Sequence, residues 1–142
     1  MNRNAWAAII ATAAVVVVLC LGFRFFGSPS YQRLVRADAR DVQALAALAQ
    51  QINFLWNQSQ KTLPGNLDRI TVITKKSFLT GRPFVYHPEQ SGAYELCTTF
   101  ATDNRQAPDT NTVDPWVHPK GDYCFQLDAT QPVPSVPYYS YY

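Results

Sequence analysis

Charge is scarce in this sequence: Asp, Glu, Lys and Arg make up 15% of its 142 residues, and no glutamate precedes Glu89. The twelve Lys and Arg residues are dispersed, with Lys75-Lys76 the only lysine pair. A nucleic-acid surface needs its cations gathered on one face or along one helix, so nucleic acid is excluded as a partner. Only two histidines occur, His87 and His118, and neither belongs to a His-Glu-x-x-His motif. There is no Gly-rich phosphate loop, and Ser91 sits in no Gly-x-Ser-x-Gly turn. The ten carboxylates are scattered. These gaps remove the common routes to hydrolysis and phosphoryl transfer, so the chain is expected not to be an enzyme, with no catalytic residue, no cofactor and no small-molecule substrate. His87, Cys97, His118 and Cys124 are of types that suit zinc, but no close Cys-x-x-Cys or His-x-x-x-His pair preorganises them, so no metal is expected.

What the sequence has is a long apolar run. Ala5 to Phe23 gives nineteen residues without a charge, enough at about 1.5 Å per residue to cross a ~30 Å hydrocarbon core. A cleaved signal peptide is the competing reading. Its apolar region is shorter and ends in a small-x-small site, whereas this run leads into Phe23-Arg24-Phe25-Phe26. An uncleaved anchor over residues 1–27 is therefore expected. Roughly 110 residues remain, enough for one modest core. Arg24, Arg33, Arg36 and Arg40 follow the anchor, and read literally the positive-inside rule puts them in the cytoplasm.

The cysteines argue for the opposite orientation. Cys20 lies in the anchor as a small apolar residue. Cys97 and Cys124 lie in Ala93–Ala101 and Asp122–Asp128, two segments with the period-two alternation of strands. Tyr94, Leu96, Thr98 and Phe100 share one face of the first segment; Tyr123, Phe125 and Leu127 share one face of the second. Each cysteine thus stands opposite its strand's apolar row. If the strands are adjacent, a Cys97–Cys124 disulfide forms, stabilising the domain by roughly 3 kcal/mol in the chain-entropy model. Such bonds persist outside the cytosol. The expected topology is accordingly a single-pass protein of a bacterial inner membrane, with its N-terminus cytoplasmic and its C-terminal domain periplasmic. Two free thiols are the alternative.

Beyond a break at Gly27-Ser28-Pro29-Ser30, residues 31–60 read as one amphipathic helix: Val42, Leu45, Ala49, Ile52 and Trp56 recur at spacings of three and four, with Leu48 and Leu55 widening the stripe. Leu63-Pro64-Gly65-Asn66 ends it near Lys61. Leu67 and Ile70 begin a return segment, and Thr71–Thr74 suit a brief strand. Pro83–His87 reads as a strand, Pro88–Gly92 as a hairpin turn, and residues 102–121 as a long polar loop in which Trp116 and His118 fold back over the sheet. The fold class expected is α+β: an N-terminal transmembrane helix running into an amphipathic helix packed on a small antiparallel sheet, over a domain spanning residues 28–130. Residues 131–142 read as a Pro- and Tyr-rich tail on an extended, polyproline-like path.

Thr80-Gly81-Arg82-Pro83-Phe84-Val85-Tyr86 resembles the Thr-Gly-x-Pro-Tyr-x-Tyr stretch that opens the sheet of the type II secretion pseudopilins and type IV pilins, and Tyr94-Glu95-Leu96-Cys97 resembles the strand that follows. Trp116-x-His118 and Gly121-x-x-Cys124-Phe125 are similar to a pattern in bacterial membrane-anchored relatives. The resemblance runs from Asp38 to Leu127 and implies the same anchor, helix and sheet. The chain departs from the family at two places. It has no Gly-Phe-Thr-Leu-x-Glu-like sequence at its anchor, so processing by a prepilin peptidase is not implied. Ser77-Phe78-Leu79 replaces the Asp-Pro before Thr-Gly, so no calcium site is carried over.

A non-catalytic accessory or structural subunit of a larger membrane complex is the function expected, whether respiratory, photosynthetic or transport-related. Its partners would be the lipid bilayer and integral-membrane subunits. Aromatic residues supply contact area at little entropic cost, so Trp116, Pro134, Pro137, Tyr138, Tyr139, Tyr141 and Tyr142 are the expected partner contacts. A pseudopilin-like component of a secretion or pilus system is the alternative, and a periplasmic ligand-binding module is a third class.

Overall fold

The computed structural model describes residues 3–26, 28–71, 74–105 and 114–136. They form two helices and a three-stranded antiparallel sheet, an α+β arrangement. By its internal contacts the chain divides into two compact units, Met1–Arg33 and Leu34–Tyr142.

Helix α1 is Arg3–Phe26. Within it Ala5–Gly22 has a mean hydropathy of 2.5. Val18 is 67% exposed and Ile10 64%. The helix is long and apolar enough to cross a membrane.

Helix α2 is Pro29–Gln58. Ser28 starts it: its Oγ accepts from Tyr31 N at 3.3 Å, its carbonyl accepts from Gln32 N at 3.2 Å, and Pro29 occupies the first helical position, where a missing N–H costs nothing. The expected stripe is the buried one. Val42, Leu45, Leu48, Ala49, Ile52 and Trp56 all face the interior, and Leu55 is half-buried. The helix ends where Gln60 and Lys61 turn left-handed, at φ 52° and 61°, and Lys61 N donates to the Trp56 carbonyl. A short 3₁₀ turn at Leu67–Arg69, capped by the Asn66 side chain, then leads Ile70 into the core. Of the strand expected at Thr71–Thr74, Val72 and Ile73 lie outside the described residues, and Thr71 and Thr74 are not in a strand.

Strand β1 is Val85–Pro88, β2 is Ala93–Phe100 and β3 is Gly121–Asp128, paired antiparallel in that order. β1 begins two residues later than the sequence suggests. Pro83 has no N–H to contribute to a ladder, and Phe84 N is taken by the Lys75 carbonyl. The turn into β2 passes through Ser91 and Gly92, at φ 65° and 95°. A Cβ on Gly92 would stand 3.1 Å from Trp56 Cζ2, so both backbone angle and space demand glycine there.

Tyr94, Leu96 and Phe100 of β2 and Phe125 of β3 are buried, and they join the α2 stripe, Ile70, Phe84, Trp116 and Ala129 in one hydrophobic cluster. Tyr94 Oη also donates to Asn53 Oδ1 at 3.2 Å. The opposite face of the sheet carries Glu95, Cys97 and Thr99 beside Gln126, Cys124 and Asp122.

Candidate functional site

Register places Cys97 of β2 directly across from Cys124 of β3, with Cα atoms 4.0 Å apart, and the two sulfurs are bonded at 2.06 Å. The alternation that buries Leu96 and Phe125 turns both cysteines to the outer face. Glu95 lies two residues before Cys97 on that face, and its carboxylate and both sulfurs are mutually within 4.8 Å. Gln126 Nε2 donates to Glu95 Oε1 at 3.4 Å, and His87 of β1 pairs with Glu95 from the other side. Thr99 and Asp122 continue the row with a 2.5 Å hydrogen bond.

On the inner side lie two carboxylates that charge patterning does not distinguish from surface acids. Asp38 and Asp41, one turn apart on α2, are 2% and 0% exposed. Asp38 accepts Ala101 N at 3.0 Å, Thr102 N at 2.7 Å and the Thr102 hydroxyl at 2.6 Å. Asp41 accepts the Ser77 hydroxyl at 2.6 Å and Phe78 N at 2.5 Å, while Ser77 Oγ accepts Leu79 N and Thr80 N. Burial raises the Asp41 carboxyl above its usual range; the bonds from Ser77, Phe78 and Leu79 oppose this, and the nearby Asp38 charge adds to it. Both oxygens of each acid are engaged and neither acid reaches water. The pair caps two loops from within the domain, and its burial keeps both carboxylates away from an external substrate. One signal was present in the sequence: Asp38 and Asp41 extend the three-and-four spacing of the buried stripe by one turn.

His118 and Trp116 also lie inside. The His118 ring stacks on Phe100 with centroids 3.6 Å apart, and Nδ1 lies 3.2 Å from the Pro119 carbonyl, which only accepts. Burial lowers the imidazole below its usual value, opposed by Pro119, Asp38, Asp103 and Thr102. Trp116 is 0% exposed, packs edge-on against Phe125 at 5.0 Å, and donates from Nε1 to the Pro134 carbonyl at 3.1 Å. Its expected place among the partner contacts is corrected: the ring that closes the core over Phe125 is not available to a partner. His118 is on the core side and the cysteines on the other, so the four-residue zinc set of His87, Cys97, His118 and Cys124 is not assembled.

Pro134 is half-buried, its carbonyl taken by Trp116. Gln131 O accepts from Asn53 Nδ2 at 2.7 Å, and Val133 and Val136 pack on the core cluster. Residues 131–136 therefore belong to the domain. Two clefts border this segment, one of about 290 Å³ beside Tyr94, Pro115 and Leu127, the other of about 320 Å³ beside Gln50, Asn53 and Asn57. Pro137, Tyr138, Tyr139, Tyr141 and Tyr142 lie outside the described residues.

Comparison of the chain with protein-family models, with curated proteins and with solved structures gives no match.

Proposed function

We propose that this chain is a non-catalytic accessory or structural subunit of a larger membrane complex, respiratory, photosynthetic or transport-related. One helix holds it in a bacterial inner membrane, with the N-terminus cytoplasmic and the domain periplasmic. The observation that carries the reading is α1, whose span Ala5–Gly22 has a mean hydropathy of 2.5 and is long enough to cross a membrane. A helix apolar on all sides needs lipid or other transmembrane helices around it. The Cys97–Cys124 bond supports an oxidising compartment for the domain. The full engagement of Asp38 and Asp41 in capping supports a scaffold role over a catalytic one. Partner contacts are assigned to Pro134 and to the tail residues Pro137, Tyr138, Tyr139, Tyr141 and Tyr142, whose rings suit an interface core.

A pseudopilin-like component of a type II secretion or type IV pilus system is the second reading. It is favoured by the hydrophobic cluster to which α2 and the three-stranded sheet both contribute residues. It is opposed by the missing glycine and glutamate of a prepilin anchor. Shared architecture alone does not transfer function.

Affinity capture of the tagged full chain from membranes dissolved in mild detergent, followed by mass spectrometry, separates the two. Stoichiometric recovery of one integral-membrane complex supports the accessory subunit. Recovery alone, or with a secretion ATPase and its platform proteins, replaces it with the pseudopilin-like reading.

A further inference from the structure

We propose that the outer face of the sheet is a redox-gated site for a thiophilic divalent cation of the zinc class, with Cys97, Cys124 and Glu95 as ligands and His87 as the fourth. The three donors come from an i, i+2 pair on β2 and the register partner of Cys97 on β3, and their ligand atoms already lie within 4.8 Å of one another. Residues at i and i+2 point to the same side of a strand, and so do residues directly opposite each other. Tetrahedral zinc, with Zn–S bonds near 2.3 Å, sets its two sulfurs on the order of 4 Å apart, a separation adjacent strands provide once the S–S bond opens. Gln126 Nε2, bonded to Glu95 Oε1, holds the carboxylate in place as an outer-shell donor does. His87, exposed and paired in register with Glu95, stands on the same face of the sheet in β1, outside the 4.8 Å group of the other three, and would complete the set by a side-chain rotation.

The disulfide is the gate. Neither cysteine is buried, and β3 is an edge strand of the sheet, so a donor can approach the bond. Exposed disulfides are the labile ones. A dithiol reductant attacks one sulfur through its thiolate, forming a mixed disulfide and releasing the other cysteine. The reductant's second thiol then resolves that intermediate. The net change is two electrons and two protons delivered to Cys97 and Cys124, with the donor left as a disulfide. Metal binding displaces both thiol protons, and thiol–disulfide exchange with a disulfide oxidant, which leaves as a dithiol with the two electrons, re-forms the Cys97–Cys124 bond and expels the metal.

The test uses the full chain in detergent with Cys20→Ser, so that Cys97 and Cys124 are the only sulfur ligands of their type. Cadmium(II) is titrated into the oxidised protein and into protein reduced by a phosphine and kept anaerobic, reading the thiolate-to-metal charge-transfer band in the ultraviolet. One equivalent should bind to the reduced protein and none to the oxidised. Glu95→Gln and His87→Ala should each weaken binding at least tenfold, with the far-ultraviolet circular dichroism of the reduced protein unchanged. The proposal is overturned if the reduced protein takes up no cadmium, or if the Glu95→Gln, His87→Ala double variant binds as tightly as its parent, since two thiols alone would then account for the uptake.

Discussion

Asp38 accepts both the backbone N–H of Thr102, at 2.7 Å, and the Thr102 hydroxyl, at 2.6 Å, and so fastens the chain leaving β2 to the interior of α2. A third bond, from Ala101 N, completes the cap. Asp38→Ala would leave the Thr102 N–H and hydroxyl buried without partners. At ~1–3 kcal/mol for each unsatisfied buried group, a loss of at least about 2 kcal/mol is expected in denaturant unfolding. A loss below about 1 kcal/mol would mean that something else holds this loop.

Replacing Cys97 and Cys124 together by serine removes a cross-link spanning 27 residues in sequence. In the chain-entropy model the cost is about 3–4 kcal/mol, read as a lower Tm and denaturation midpoint. The sheet register should survive, because Leu96 and Phe125, the neighbouring pair, stay buried whether or not the sulfurs are joined.

His118 should make stability depend on pH. Its folded-state pKa is lowered from 6.5, chiefly by burial, so the unfolded chain binds more protons once the pH is below that value. Its contribution is present above pH 6.5 and is lost as the pH falls toward the folded-state value. Asp41, raised from 3.8, acts in the opposite sense, its contribution being lost as the pH rises. The difference between the parent and His118→Phe isolates the histidine: the parent should lose stability between pH 7 and pH 5, and the variant should lose less. Parallel curves would mean that His118 does not protonate on unfolding in this range.

Gly92 and Gly121 provide a paired comparison. Both have positive φ, 95° and 104°, but a Cβ at Gly92 would meet Trp56 and Thr130 at 3.1–3.2 Å, while one at Gly121 would meet nothing within 4 Å. Gly121→Ala should cost about 1 kcal/mol from the backbone alone, and Gly92→Ala measurably more. Equal costs would show that Trp56 moves aside freely.

Removing residues 131–142 should destabilise the domain as well as weaken partner capture, because Asn53 Nδ2 and Trp116 Nε1 lose the carbonyls of Gln131 and Pro134. An unchanged Tm in thermal unfolding would return residues 131–136 to the status of a tail.

The sequence by itself determined the elements. A charge-free run makes α1 apolar on every side, spacing of three and four picks out the buried face of α2, and period-two alternation sets Leu96 and Phe125 inward and Cys97 and Cys124 outward. Each of these is a repeat along the chain, and burial of a repeat follows from local geometry. Only the tertiary structure decided what the exceptions do. Asp38 and Asp41 sit on the apolar stripe as if misplaced, and their partners are 64 and 36 residues away. Trp116 looks like a partner contact until Phe125 and Pro134 close around it, and residues 131–136 read as a tail until Asn53 and Trp116 hold them. Hydrogen bonds between distant segments have no period, so they are decided only when the core brings α2, the sheet and the chain beyond β3 together.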